Sequence, residues 1–381
     1  MKSAVAVVQC SDYSSDRVWA AVSRAVELIG GREPFVRPGE RILVKPNILA
    51  GDPPERATTT HPSVVAAVIR LLMESGAEVS YGDSPGTGSP VVASRKSGIS
   101  AAAEAVGARF ADLDSQADLA LKKGSRIESV PIIEAARSCE GIVSVPKLKT
   151  HGLVRITGAV KNQLGCVYGL HKARMHVIAQ EVGDFSELLV DINRALASRL
   201  YIMDAVIGME GNGPRAGRPR RVGAILASRD PVALDATACR LVALDPAHVP
   251  TNVSGLERGH GTYKAEAIDL LGDRLGDLIC SDFDVPRSPA RHHLMTHLTF
   301  MKNLLEPRPV IDAGKCRKCG VCVDACPVPS KALQFRDRSR AAPPRYNYDL
   351  CIRCFCCQEM CPHEAITIHT PLLGRIYRPI H

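Results

Sequence analysis

Aromatic residues make up only 4% of this 381-residue chain, with a single Trp. Recognition by stacking sugars or bases on aromatic faces is therefore poorly provided for. No window of 18 or more residues is uniformly apolar, so no membrane span is expected. The opening MKSAVAVVQC lacks the basic region, long apolar core and small-residue cleavage site of a secretory signal. It reads as a first buried strand, with a cytoplasmic location as the default expectation. Two glycine-rich stretches, GDSPGTGSP and GMEGNGPRAG, have neither G-x-G-x-x-G nor a GK[S/T] ending, so no motif supports a flavin or nicotinamide site. No CxxxCxxC run occurs, which leaves a radical adenosylmethionine site equally unsupported. Basic residues form no long run and no recognition helix, so nucleic acid is not an expected partner.

What is present describes a globular protein larger than one core usually needs, with 45% hydrophobic and 23% charged residues. The first part reads as α/β. Val5–Val8 and Arg41–Val44 are apolar strand patterns, and Asp16–Leu28 is a helix pattern. Residues 60–88 predict a helix capped by Thr60, with Pro62 in its first turn and Gly76 stopping it, then a strand Glu78–Tyr81 and a glycine-rich turn. Residues 141–151 run from an apolar strand into a basic loop, and 201–217 from an apolar strand into a glycine-rich loop. Residues 229–244 predict a helix with Asp230 as cap and Pro231 at its first position. This alternation predicts an open, mainly parallel sheet with helices on both faces over residues 1–290. Residues 291–310 form a junction, with a short amphipathic helix expected in HLMTHLTFMKNLL. Residues 311–371 form a small α+β module.

That module holds the strongest signal. Of 14 Cys, nine fall between Cys316 and Cys361. CRKCGVCVDACP and CIRCFCCQEMCP each fit C-x₂-C-x₂-C-x₃-C-P, the bacterial two-cluster ferredoxin pattern. Three close thiolates wrap one corner of a cubane, and the fourth Cys crosses to the other cluster. The expected ligands are Cys316, Cys319, Cys322 and Cys361 for one [4Fe–4S] cluster, and Cys351, Cys354, Cys357 and Cys326 for the other. Zinc and unmetallated thiols are the alternatives; a single CxxC leaves zinc open, whereas two complete runs each ending in Pro favour iron–sulfur. Cys356 is surplus and reads as a bystander.

The formal charge is +8, and the last 81 residues hold 13 Lys/Arg against 7 Asp/Glu. An oxidised core with four thiolates nets about −2, so two clusters would cancel about half of the total. Lys318, Lys331, Arg345 and Arg353 are candidates for a face that docks an acidic redox partner, with charge balance and solvation as the plainer reading.

In the large domain, polar residues gather where strands run into loops, the usual site wall of open α/β sheets. Lys45 and Asn47 follow one strand, His61 opens a helix, and Asp83 lies in the glycine-rich turn. Lys147, Lys149 and His151 follow another strand, Lys161 and Asn162 come next, and Glu210 and Asn212 sit in the fourth loop. Convergence of these loops would give a cationic pocket for a carboxylated or phosphorylated molecule. His151, Asp83 and Lys161 are the candidates for chemistry, and Lys45, Asn47, His61, Lys147, Lys149, Asn162, Glu210 and Asn212 for binding. Each has a plainer role: solvated lysines at a strand end, a His that helps cap a helix, a buried structural thiol at Cys166.

The segments KPN (45–47), THP (60–62), GDSPG (82–86), VPKLKTH (145–151), TGAVKNQLG (157–165), GMEGNGPRAG (208–217) and DPVALDA (230–236) resemble the family named domain of unknown function 362, whose members often end in a two-cluster ferredoxin module. The resemblance implies an iron–sulfur protein and carries no established catalytic roles. The functional expectation is an oxidoreductase that passes electrons from a ferredoxin- or flavodoxin-like carrier through two [4Fe–4S] clusters to an anionic substrate or cofactor. The alternatives are a non-enzymatic electron-transfer subunit and a metal- or cluster-handling maturation factor.

Overall fold

A computed structural model describes residues 2–86, 88–169, 171–290 and 299–377. Twelve strands come first: β1 (Ser3–Gln9), β2 (Arg41–Pro46), β3 (Glu78–Tyr81), β4 (Arg109–Phe110), β5 (Gln116–Ala120), β6 (Ser129–Ile133), β7 (Gly141–Val145), β8 (Lys147–His151), β9 (Arg155–Thr157), β10 (Leu200–Glu210), β11 (Arg218–Ser228) and β12 (Ile268–Gly272). Ten of these form one sheet, in the order β12-β1-β11-β10-β7-β2-β3-β4, with β8 against β10 and β9 against β8. The neighbours are mainly parallel; β11 runs antiparallel to both β1 and β10. β5 and β6 make a separate hairpin.

The central strands are continuous apolar runs because both faces are covered. Ala6 and Val8 of β1 pack with the helices Ser15–Leu28 and Pro62–Met73. Val5 and Val7, pointing the other way, pack with the helix Pro231–Leu241. The helix Val182–Leu196 covers Leu43 and Ile142 on that second face. The expected α/β architecture is the observed one. Asp230 caps its helix by accepting from the Val232 and Ala233 N–H groups, with Pro231 in the first turn.

Three local readings change. The cap of Pro62–Met73 is His61, whose Nδ1 accepts from the Ser63 N–H, rather than Thr60. The Thr60 hydroxyl instead donates to the Val145 carbonyl at 2.6 Å and ties the helix start to the sheet. The basic stretch after β7 is not a loop. Pro146 interrupts the ladder, but the chain resumes as β8 and pairs with β10 through Asp204↔Lys147 and Met209↔Lys149. Every residue of β8 is buried, Lys147 and Lys149 included. Finally, the small module begins inside the stretch read as a junction. β13 (Arg308–Ile311) pairs with β16 (Ile366–His369), and β14 (Leu333–Gln334) pairs with β15 (Arg345–Tyr346). The helix expected within 293–305 is seen as Thr299–Leu305, and its first part lies outside the described residues.

The module is clamped onto the ends of β8 and β10. Gln358 Nε2 donates to the Asn212 carbonyl and side-chain oxygens, both at 2.9 Å, and to the Gly213 carbonyl at 3.2 Å. Arg215 pairs with Asp52 and donates to the Met360 carbonyl at 2.9 Å. Among the described residues no helix is long and apolar enough to cross a membrane.

Candidate functional site

The clamp encloses a cavity of about 180 Å³ between sheet and module. On the sheet side it is lined by Asn47, Asp83, Ser84, Lys149, Thr157, Lys161, Asn162, Lys172 and His176, with Leu49 and Leu164 among the apolar groups. On the module side it is lined by Asp324, Ala325, Cys356, Glu359 and Met360. These last residues alternate with expected cluster ligands: Asp324 and Ala325 precede Cys326, and Cys356, Glu359 and Met360 lie between Cys354 and Cys361.

Behind the sheet-side wall lies a buried ion pair. Lys45 Nζ sits 2.7 Å from Asp83 Oδ1, with the two side chains 0% and 4% exposed. Asp83 Oδ2 accepts the Ile48 N–H at 2.8 Å. Lys45 also donates to Asn162 Oδ1 at 3.1 Å, as does Asn47 at 3.2 Å. Lys149 donates to Asn47 Oδ1 and to the Thr58 carbonyl, both at 2.7 Å. Lys45, Asn47, Asp83, Lys149 and Asn162 are thus one network, in which most buried polar atoms are partnered. Gly165 is required beside it, since a Cβ there would lie 2.0 Å from Asp83 Oδ1 and 2.6 Å from Lys45 Nζ.

Lysine and histidine groups around this network shape the field. Burial pulls Lys149 down to about 7 and Lys172 down to about 8, in each case against the opposing pull of nearby carboxylates. Lys172 donates to Ser84 Oγ at 2.5 Å and to the Pro85 carbonyl at 3.2 Å. Lys161 Nζ stands 3.7 Å from Glu359 Oε1, and His151 Nε2 stands 3.6 Å from Glu359 Oε2. His151 Nδ1 accepts from the Leu153 and Val154 N–H groups at 3.0 and 3.3 Å, which places the ring proton of the neutral form on Nε2, facing Glu359. Burial and Lys161 lower His151 to about 4, so the ring is neutral at ordinary pH. Burial opposes ionisation of Glu359, but Lys161, His151 and His176 outweigh it and hold the carboxyl below its usual range.

The other residues singled out in the sequence lie elsewhere. Lys147 forms a second buried pair, 2.7 Å from Asp204, and donates to the Tyr13 hydroxyl at 2.7 Å. His61 stacks on Tyr13 at 3.6 Å in the same group, and neither residue lines the cavity. Glu210 accepts the Asp284 N–H at 3.0 Å and faces Arg218 at 3.4 Å. Asn212 donates to the Ile366 carbonyl at 3.0 Å and serves the clamp. Cys166 is fully buried, and burial pushes its thiol up to about 12, as a structural thiol requires. Arg353 is fully buried and donates to Asn303 Oδ1 at 2.5 Å, so it is no part of a docking face. Sequence reasoning missed Glu359, Lys172 and His176. The i, i+4 spacing of Lys172 and His176 on the helix His171–Ile178 was the available signal.

The cysteines of the module gather in two neighbourhoods. Cys316, Cys319, Cys322 and Cys361 line one small cavity of about 20 Å³, walled by Ile311, Ala365 and Ile366. Burial and then the Cys361, Cys319 and Cys316 sulfurs push Cys322 up to about 12. Cys326 packs against Cys351 and Ala332. Cys357 is raised by burial, with Cys354 and Cys351 among the neighbouring sulfurs that add to it. Thiols gathered at this cost in electrostatic repulsion fit a cationic iron–sulfur core that holds them as thiolates.

The 4Fe-4S dicluster domain family matches residues 308–362, so the C-terminal module is a ferredoxin-like 4Fe–4S domain. A thylakoid-associated protein of Synechocystis sp. is 37% identical over 276 residues, which span 70% of this chain and 83% of that protein. Among solved structures, the lactate racemase apoprotein from Thermoanaerobacterium thermosaccharolyticum aligns with a TM-score of 0.40 at 10% identity, over 63% of this chain and 56% of its own. A protein from Thermotoga maritima aligns with a TM-score of 0.37 at 13% identity, over 61% and 60%. The family Domain of unknown function (DUF362) matches residues 42–240, more than half of the chain, and this protein belongs to it.

Proposed function

We propose that this chain is an iron–sulfur oxidoreductase that reduces or oxidises a small anionic molecule in the chamber between sheet and module. One observation carries the reading. The chamber is bounded on one side by residues of the two peptides that bear Cys326 and Cys354, Cys357 and Cys361, and on the other by Lys149, Lys161 and Lys172. Two [4Fe–4S] groups on the eight cysteines would supply one-electron transfer up to that wall. Lys161 and Lys172 hold the negative group of the substrate, and the Lys45–Asp83 pair sets the position of Asn162 and Lys149 around it. With both its oxygens engaged, Asp83 positions rather than transfers protons. His151 acts from behind Glu359. A cytoplasmic location accords with this chemistry.

The test is anaerobic turnover of reconstituted protein with a low-potential donor across a panel of small carboxylates and phosphates. Consumption of donor that depends on one compound, and that is lost in Cys351→Ser and in Lys161→Met, is expected. Turnover indifferent to the cysteine ligands would sink the reading and leave a platform role for the α/β domain.

A further inference from the structure

The two cysteine groups meet different surroundings. Cys322, Cys326, Cys351, Cys357 and Cys361 are all buried, and the residues next to Cys326, Cys357 and Cys361 line the chamber. Cys319, at the other end, is exposed. Around it the module presents Lys315, Arg317, Lys318, Arg336, Arg338 and Arg340, all exposed. Half of these come from the stretch between the two cysteine runs, which folds back over the first run. Arg340 donates to the Cys319 carbonyl at 3.2 Å and covers the ring of Phe335 at 5.0 Å. Lys318 returns a bond to the Ala341 carbonyl at 3.0 Å. A Cβ on Gly320 would touch Arg340 at 3.0 Å, so the seat of this stretch is close-fitting. Two carboxylates, Asp312 and Asp337, stand against the six cations, a local side-chain surplus of about +4, or about +2 once the net charge of the loaded Cys316–Cys319–Cys322–Cys361 site is counted.

We infer that the Lys315–Cys319 loop and the 336–340 segment together form the docking face for an acidic one-electron carrier protein, and that electrons enter at Cys319. This rests on the oxidoreductase reading and gives it a direction: entry at the exposed end, delivery at the chamber. Each transfer removes one electron from the reduced carrier, which is oxidised, and adds one at the Cys316–Cys319–Cys322–Cys361 site, which is reduced. No proton or bond is exchanged in this step. An exposed ligand residue shortens the distance from the cluster site to a docked partner. The surrounding cations speed encounter and fix orientation, and they do so in a salt-dependent way.

The probe is a purified plant-type ferredoxin of strongly negative net charge, with the same protein amidated on its carboxylates as control. Binding to the full reconstituted chain is measured by titration calorimetry at low and high salt, and reduction by stopped-flow absorbance. The variant is Lys315→Glu/Arg336→Glu/Arg338→Glu, which leaves the Arg340 and Lys318 contacts in place. A Kd at least about tenfold weaker in the variant, with unchanged iron content and unchanged reduction by dithionite, is expected. Loss of binding on amidation, and weakening from about 50 to about 300 mM salt, are expected alongside. Equal binding by variant and parent overturns the inference. So does a short DNA duplex that binds this face while the ferredoxin does not. If docking behaves as expected but no anionic compound turns over, the inference stands and the oxidoreductase reading falls.

Discussion

Replacement of Asp83 by Asn is the most direct probe of the chamber's construction. Asn keeps the volume and can still accept the Ile48 N–H, so the change removes charge and little else. Lys45 is then left fully buried without its anion, and Lys149 and Lys172, both of which feel Asp83, lose it as well. Breaking a buried pair from one side costs about 3–5 kcal/mol. With a urea slope of about 2 kcal/mol/M, about 4 kcal/mol lowers the unfolding midpoint by about 2 M. Lys45→Met costs less, about 2–3 kcal/mol, because Asp83 keeps Lys149 and Lys172 as neighbours. The single Trp of the chain, Trp19, packs under Arg70 at 4.0 Å in the α/β domain, so its fluorescence follows the relevant unfolding. The double variant should cost far less than the two singles summed, with a coupling of a few kcal/mol. Additive losses, or a drop of less than about 0.5 M for Asp83→Asn, would refute the claim that this pair organises the site.

Further outcomes can be checked independently. Cys351→Ser should lower bound iron from about eight to about four atoms per chain, whereas Cys356→Ser should leave it unchanged, as read by iron assay and electron paramagnetic resonance. Lys149 is held at about 7 by burial against 10.5 in the unfolded chain. Between those values the unfolded chain binds the extra proton, so stability rises with pH across that window. Lys149→Met should flatten part of that rise in urea midpoints between about pH 7 and about pH 9.5. Gln358→Ala removes three bonds of the clamp and should increase hydrogen exchange at residues 210–215 and 356–360 without unfolding either domain. Gly165→Ala should destabilise by about 1–3 kcal/mol, because its Cβ enters the space of Asp83 and Lys45.

The cysteine spacing, the Asp230–Pro231 helix start and the strand Glu78–Tyr81 were legible in the sequence because each is a local pattern. So was the gathering of Lys45, Asn47, Asp83, Lys149, Lys161 and Asn162, since strand ends in a parallel sheet converge by rule. Lys147 shows the limit. Its neighbours in sequence read as a solvated basic loop. Its burial depends on Asp204, 57 residues later on β10, which supplies both a backbone ladder and a counter-charge. Glu359 was hidden in another way. Inside CIRCFCCQEMCP every residue is first read as spacing between ligands, and nothing local says that this one turns toward Lys161 and His151 of the other domain.

A wall built from a metal-binding peptide has a consequence for the order of assembly. Glu359, Met360 and Cys356 complete the chamber only when the second cysteine run is folded around its core. Occupancy of the chamber and loading of iron and sulfide are then linked reciprocally: whatever stabilises one raises the affinity for the other by the same factor. A chain without its iron and sulfide would then hold a chamber ligand less tightly, and a bound ligand would slow the loss of metal. The seam between sheet and module thus ties the shape of the chamber to the state of the metal-binding fold.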